Sequence, residues 1–354
     1  DENHVLLSSL DETVIQHDAP FNLGIHQYGE NVFSPNGHKY IRQFDCESVP
    51  TVTYRVGGVI LTKEKVFISH ENRILIKYTL VEAHSPTTLQ FRPFLAFRNA
   101  NELCVENNSL NKDMQLVANG LSCCLYPGYP ELFMQFNKEA KWVSDGHWYK
   151  GIEYYKDRDR GLPYKEDLWV PGYFELPIKK GESIIFSAST FVAKPEEFEK
   201  TYEDEIATRT TRTSFYNCLK NSAKQFYYKK DDEMYIMAGY PWLNVRARDE
   251  LMALPGCTLS IDHKKDFETI MDTLVSALQR YINTGEKHRN IKEIDLPDIS
   301  LWAIWAIQQY KRAYGNEECL EKYGHVVKYL VEAIREERIY NLYLNDNGLL
   351  STNG

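Results

Sequence analysis

Met237-Ala238-Gly239-Tyr240-Pro241-Trp242-Leu243-Asn244-Val245-Arg246-Ala247-Arg248-Asp249-Glu250 lies on a compositional seam of this 354-residue chain. Before about residue 198 the sequence reads as strands and turns, and after it mostly as helices. The stretch sets aromatic rings, arginines and a carboxylate close together, just ahead of a helical pattern. A flat, hydroxyl-rich ligand needs that mixture: rings to stack on and charged groups to hydrogen-bond its edges.

Upstream of the seam, β-branched residues alternate with polar ones. Thr51–Val56 leads through Gly57-Gly58 into Val59–Ile68, and the short polar turn Ser69-His70-Glu71-Asn72 opens Arg73–Val81. That pattern spells antiparallel hairpins. Further strand-like runs follow at Thr88–Phe97, Leu132–Phe136 and Glu182–Ser187. Many strands at short spacing imply a β-sandwich. Residues 145–174 interleave Trp148, Tyr149, Tyr154, Trp169 and Tyr173 with acids and arginines. They read as one long loop, either a binding surface or a segment packed on a neighbouring domain.

Downstream, Glu196–Tyr228 has the length and charge spacing of a connecting helix, with Phe198, Tyr202, Ile206, Phe215, Leu219 and Phe226 as its apolar stripe. Phe267, Ile270, Met271, Leu274, Val275 and Leu278 recur at helical spacing, and Asn283-Thr284-Gly285 ends that helix. Ile299–Tyr314 is apolar nearly all round, which predicts burial on most sides, and Asp298 is placed to start it. In the last helix, from Glu317 to about Ile339, Leu320, Tyr323, Val327, Leu330 and Ile334 point inward. The organisation that follows is a β-sandwich at 1–195, a helical linker at 196–230 and an incomplete helical domain at 231–354.

A net charge of −9 argues against nucleic acid, which a basic face would recognise. Neither a run long enough to span a membrane nor a signal peptide is visible, so a cytoplasmic protein is expected. The start, Asp1-Glu2-Asn3-His4, suggests a piece of something longer. The seven cysteines are scattered without CxxC or zinc spacing and read as free buried thiols; no metal or cofactor is expected.

The chemistry centres on Arg248-Asp249. In one reading, Asp249 caps the following helix and Arg248 pairs with a nearby acid. In the other, carboxylate and guanidinium form a fork for sugar hydroxyls, with Tyr240 and Trp242 as stacking faces. Spacing alone leaves both open.

Ala238-Gly239-Tyr240-Pro241-Trp242, followed by Arg248-Asp249 and Ala253-Leu254-Pro255-Gly256, resembles the start of the catalytic domain in bacterial glycogen debranching enzymes of the amylo-α-1,6-glucosidase type. Phe21–His26, Gly37–Arg42, Pro50–Val59 and Arg92–Asn99 look like that family's N-terminal β domain, and Pro297–Trp302 is similar to a helix start in its catalytic domain. The resemblance implies a multi-domain β-then-α chain. An antiparallel, supersandwich-like β-sandwich would be joined by a helical linker to the beginning of an (α/α)6 toroid.

It also implies inverting hydrolysis of α-1,6-linked glucose branches on glycogen or a branched α-glucan. Arg248 and Asp249 would hold the glucose, while Asp298 and Trp302 would sit on the next pocket-lining helix. For the latter two, an N-cap and a core residue are the plain alternatives. The sequence departs from the family pattern at Arg246-Ala247, where many relatives have Trp-Gly. The Trp-x-Asp segment expected to bear the general acid, and the segment bearing the base, would lie beyond Gly354. No catalytic pair is therefore assigned, and little hydrolysis is expected from this chain alone. The rival readings are a glucoamylase-like hydrolase, a disaccharide phosphorylase and a non-catalytic glucan-binding module.

Overall fold

The computed structural model describes residues 3–230, 232–240 and 243–353. The chain forms two compact units that divide between Arg209 and Thr210. The first is built of antiparallel strands. In chain order they are β1 (His4–Gln16), β2 (Ala19–Asn22), β3 (Ile25–Gly29), β4 (Val32–Asn36), β5 (Ile41–Asp45), β6 (Thr51–Val56), β7 (Val59–Phe67) and β8 (Arg73–Glu82). Then come β9 (Thr87–Asn99), β10 (Gln115–Val117), β11 (Gly120–Cys123), β12 (Leu132–Phe136), β13 (Lys141–Glu153), β14 (Lys165–Ile178) and β15 (Ser183–Ser189).

Thirteen of these strands form two sheets, of order β13-β14-β9-β1-β2 and β10-β11-β12-β15-β8-β7-β6-β5. Period-two alternation supplies each sheet with one apolar face, and the two faces share a core. Phe91 of the first sheet meets Tyr78 and Phe136 of the second at ring-centroid distances of 4.9 and 5.1 Å, and Phe136 also meets Phe174 at 5.1 Å. Between β6 and β7, Val56 pairs with Val59, so Gly57 and Gly58 form a two-residue turn. Their φ values of 56° and 81° need glycine there.

Residues 145–174 are not a long loop. They are most of the β13–β14 hairpin, with the short helix α1 (Tyr155–Asp159) between the strands. Trp148 pairs with Trp169 across the strands, and Trp169 and Phe174 enter the inter-sheet core. Register shifts between Ser144 and His147 and between Tyr149 and Ile152 break the alternation that would have marked a strand.

The single connecting helix is also corrected: it is two helices, one in each unit. α2 (Phe198–Ala207) stays with the sheets. Phe198 and Tyr202 pack on the outer face of the large sheet, and Glu205 accepts hydrogen bonds from the Ser69 amide (2.9 Å) and hydroxyl (3.2 Å). α3 (Phe215–Gln225) starts afresh after the polar run Thr210-Thr211-Arg212-Thr213-Ser214, with the Ser214 hydroxyl capping the Asn217 amide at 3.1 Å. β-branched threonines and a cap serine favour a break over a continuous helix. Phe215 and Leu219, read as stripe residues, are exposed.

The second unit continues with the hairpin β16 (Tyr227–Lys230) and β17 (Glu233–Ile236). Four α-helices follow, α4 (Ala247–Cys257), α5 (Lys264–Thr284), α6 (Ile299–Tyr314) and α7 (Asn316–Arg335), before a short terminal hairpin. α5 buries Phe267, Ile270, Met271, Leu274 and Leu278 and ends at Gly285 with φ 75°. α6 is less enclosed than its composition suggests, since Leu301 and Trp305 reach solvent. In α7, Tyr323, Leu330 and Ile334 face inward, but Leu320 is 60% exposed. Leu320→Gln is accordingly expected to change unfolding free energy by under about 0.5 kcal/mol, whereas an inward leucine would cost roughly 2–5 kcal/mol. Urea titration of the two proteins separates these values.

None of the seven cysteines forms a disulfide. Cys104, Cys123 and Cys319 are buried, while the other four are only partly covered. No helix among the described residues is long and apolar enough to cross a membrane.

Candidate functional site

The seam stretch folds by local hydrogen bonds into the approach to α4. The Ala238 amide donates to the Asn244 carbonyl (3.1 Å) and the Leu243 amide to that of Gly239 (3.0 Å), which closes a tight turn. Tyr240 stands on this turn, half-exposed, with its ring 5.7 Å from that of Phe226. Trp242 lies outside the described residues. The chain then runs beside Ile291–Glu293. Lys292 donates to the Val245 carbonyl (2.9 Å), and Ala247 donates to that of Lys292 (3.0 Å). That pairing fixes where α4 begins. Arg246, in extended conformation, is the residue before the helix.

Asp249 is therefore not the helix cap. It stands in the first turn of α4, where a carboxylate suits the helix dipole. It makes no side-chain hydrogen bond or ion pair within the described residues and is partly exposed. Arg248 does pair with an acid, but a distant one. Its Nη2 donates to Asp298 Oδ1 at 2.9 Å, and its Nε lies 2.7 Å from Oδ2, although the Nε–H does not aim at that oxygen. Bonding to Asp298 raises the Arg248 pKa further, so the guanidinium is always charged.

Asp298 stands before α6 without capping it. Its Oδ2 instead accepts from Trp302 Nε1 at 3.1 Å, one turn along. Trp302 is partly exposed, so it is not a plain core residue. It meets Trp305 edge-to-face, at a centroid distance of 5.4 Å and an interplanar angle of 83°. The structure thus joins Arg248, Asp298 and Trp302 into one cluster and sets Asp249 beside Arg248 in α4. It gives Tyr240 no hydrogen bond or ring contact with them. Trp305, 36% exposed on the α6 face that bears Asp298 and Trp302, was not singled out from the sequence. The spacing 298, 302, 305 marks that face of a helix once Asp298 is known to have a partner across space.

α4 carries one further acid, and it is buried. Glu250 is 1% exposed; its Oε1 accepts the Ile236 amide at 2.9 Å, and its Oε2 has no partner among the described residues. Burial pushes its pKa up to about 8, with the Ile236 amide opposing. Asn290 supports the same strand from another side by donating to the Tyr235 hydroxyl at 3.1 Å. Glu250 and Asn290 together hold β17, which leads directly into the Tyr240 turn.

Chemically, the cluster can bind but has no evident cutting pair. Asp298 uses both oxygens on Arg248 and Trp302. Asp249 offers an unoccupied acceptor, and Arg248 keeps Nη1 free of protein partners among the described residues. An exposed tryptophan pair adds apolar faces.

Comparisons with known proteins follow the same division. The sequence profile described as Glycogen debranching enzyme N terminal matches residues 1–185, and that described as Amylo-alpha-1,6-glucosidase matches residues 215–354. No curated protein sequence matches the chain. Among solved structures, a bacterial glucoamylase complexed with acarbose is similar at 12% identity and a TM-score of 0.48, over 95% of this chain and 53% of its own. A polysaccharide lyase is similar at 11% identity and a TM-score of 0.24, over 93% of this chain and 62% of its own. The chain spans about half the length of the glucoamylase and less than two thirds of the lyase.

Proposed function

We propose, from the premise that this chain belongs to the glycogen debranching enzyme family, that its Arg248–Asp249 pair holds a terminal glucose of a branched α-glucan for hydrolysis of the α-1,6 linkage. The observation that carries this reading is the state of Asp249. Asp298 has taken Arg248, so the Asp249 carboxylate is left partly exposed and unpartnered beside a guanidinium fixed in place. A carboxylate so placed accepts from two adjacent hydroxyls, while Arg248 Nη1 donates to a third oxygen. Asp298 acts by positioning Arg248 and the Trp302 indole. Trp302, Trp305, Tyr240 and Trp242 supply stacking faces for the pyranose.

In this reading α4 to α7 are the first helices of an (α/α)6 toroid. Inverting hydrolysis requires two carboxyl groups about 6.5–9.5 Å apart, one protonating the leaving oxygen and one activating water. The cluster supplies neither. It orients the sugar, and the acid and base come from segments outside these residues.

The test is binding by the 354-residue chain of panose, a trisaccharide with one α-1,6 linkage, followed by calorimetry. Asp249→Asn is expected to weaken binding by at least tenfold, about 1.4 kcal/mol, with an unchanged melting temperature. Asp298→Asn is expected to weaken it severalfold by releasing Arg248. Panose binding that survives Asp249→Asn undiminished would place glucan recognition elsewhere and sink the assignment.

A further inference from the structure

Beside the Arg248 cluster stands Glu293, a residue to which the glucan reading gives no role. It follows Lys292, whose backbone pairs with Val245 and Ala247, so it emerges next to the first turn of α4. Its φ of 60° lies in the left-handed region. Glycine, asparagine and aspartate adopt that conformation at least cost, and most other left-handed non-glycine residues of this chain are Asn, Asp or His. Glu293 heads a turn in which the Leu296 amide donates to its carbonyl at 3.4 Å. The turn accounts for the backbone but not for a glutamate, since Asn or Asp would serve it better.

The side chain stands among the charges of the sugar site. Glu293 Oε1 lies 3.7 Å from Arg246 Nε, and the carboxylate makes no hydrogen bond among the described residues. Glu293 is 42% exposed and Arg246 39%, so both are open to a solute. An ion pair so long and so exposed adds little stability, and it does not explain a glutamate held in left-handed backbone. Bonding to Asp298 raises the Arg248 pKa most; the nearby charges of Glu293 and then Asp249 add to it, with desolvation opposing. Arg248 thus has three carboxylates about it. Asp298 is committed to Arg248 and Trp302, which leaves Asp249 and Glu293 as the open acceptors.

We propose that Glu293 is a further sugar-binding residue of this site, its carboxylate accepting a hydroxyl of the glucose that Asp249 and Arg248 hold. The inference rests on the glucan reading of that pair. Backbone strain persists where the surrounding structure makes use of the side chain it presents. Two open carboxylates beside one guanidinium accept from hydroxyls at separate positions of a pyranose, while Arg248 Nη1 donates. A third point of contact also fixes which way the ring lies, because two points leave it free to turn about the line that joins them.

Panose binding by the 354-residue chain, measured by calorimetry beside the melting temperature, tests the proposal with two variants. Glu293→Gly and Glu293→Asp both suit left-handed backbone, so each is expected to melt no lower than the parent. Glu293→Gly should nonetheless weaken panose by about three- to tenfold, the worth of one partly exposed hydrogen bond, while Glu293→Asp, which keeps a carboxylate, should lose less. A merely structural role would instead couple weaker binding to a lower melting temperature. The loss should persist in an Arg246→Met background. The proposal is overturned if Glu293→Gly binds panose as the parent does or melts well below it, or if Glu293→Asp binds no better than Glu293→Gly. It is overturned as well if the loss vanishes without Arg246, which would trace it to the ion pair. Asp249→Asn separates the two claims. Weakened binding there, with binding undisturbed in Glu293→Gly, removes Glu293 alone, whereas a parent that does not bind panose removes both.

Discussion

Glu166→Ala is expected to lower the unfolding free energy of the β unit by about 3–5 kcal/mol, a large part of the roughly 5–15 kcal/mol typical of a folded domain. Glu166 is fully buried on β14 and gathers three groups. Arg98 of β9 binds it through Nε and, at 3.3 Å, through Nη2; the Tyr154 hydroxyl donates to it; and the Cys104 amide donates at 3.0 Å. Alanine would leave Arg98, itself mostly buried, with only the Asn99 and Ala100 carbonyls at 3.2 and 3.3 Å. The dominant cost is this uncompensated charge, because the lost attraction alone is largely offset by relief of desolvation. Two controls isolate it. Glu166→Gln keeps one acceptor oxygen, enough for the Cys104 amide, and meets the Tyr154 hydroxyl with an NH2 that it can accept from, so it should lose about half as much. Arg98→Met combined with Glu166→Leu removes both charges and should recover at least about 1–2 kcal/mol relative to Glu166→Ala. Urea unfolding of the four proteins makes the comparison, and a double variant no more stable than Glu166→Ala would refute the buried-charge account.

That residue also marks the limit of what the sequence displays. Where a strand keeps strict alternation and ends in a recognisable turn, the pattern suffices: β6, β7 and β8 lie within a residue or two of their expected bounds, at Gly57-Gly58 and at Ser69–Asn72. β13 and β14 keep no such rhythm. Bulges shift the register twice, and their charged residues are partly internal, as with Glu166. A charged, aromatic segment therefore imitates a surface loop. The helices show the same contrast. α5 has a wide apolar stripe and a glycine stop, both local properties. The break before α3 and the exposure of Leu320 depend on which neighbours are available, and composition does not record that.

The cluster around Arg248 was half legible. Its members carry the right chemistry, but the Arg248–Asp298 pair spans fifty positions in sequence, and no local rule links them. Of the plain sequence reading, the pairing of Arg248 with an acid holds, the partner being Asp298, but the cap at Asp249 does not, because α4 starts three residues earlier than such a cap requires. The start is set by pairing with Lys292, again at long range.

Stability of the helical unit should fall with rising pH through Glu250, and Glu250→Gln should abolish that fall. The folded carboxyl has a pKa of about 8, and an unfolded glutamate titrates near 4.3. Between these values the folded state keeps a proton that the unfolded state has lost, so unfolding releases it and becomes easier as pH rises. The contribution is intact below about pH 4.3 and is progressively lost up to about pH 8. One group titrating alone changes stability by about 1.4 kcal/mol per pH unit, or roughly 3 kcal/mol between pH 4.5 and 7. Glutamine still accepts the Ile236 amide but cannot ionise. Denaturant unfolding of parent and variant at pH 5, 6, 7 and 8 therefore gives a difference that grows in favour of Glu250→Gln, and equal slopes would disprove the assignment. Glu250→Leu provides the complementary case: it too removes the slope, but it orphans the Ile236 amide and should cost about 1–3 kcal/mol at pH 5, where glutamine costs little. Because an ionised carboxylate is driven out of its buried place between β17 and α4, raising the pH should also loosen the turn that carries Tyr240. Faster hydrogen exchange at Met237 and Ala238 above pH 8 is expected in the parent and absent in Glu250→Gln, after correction for the intrinsic rise of exchange with pH.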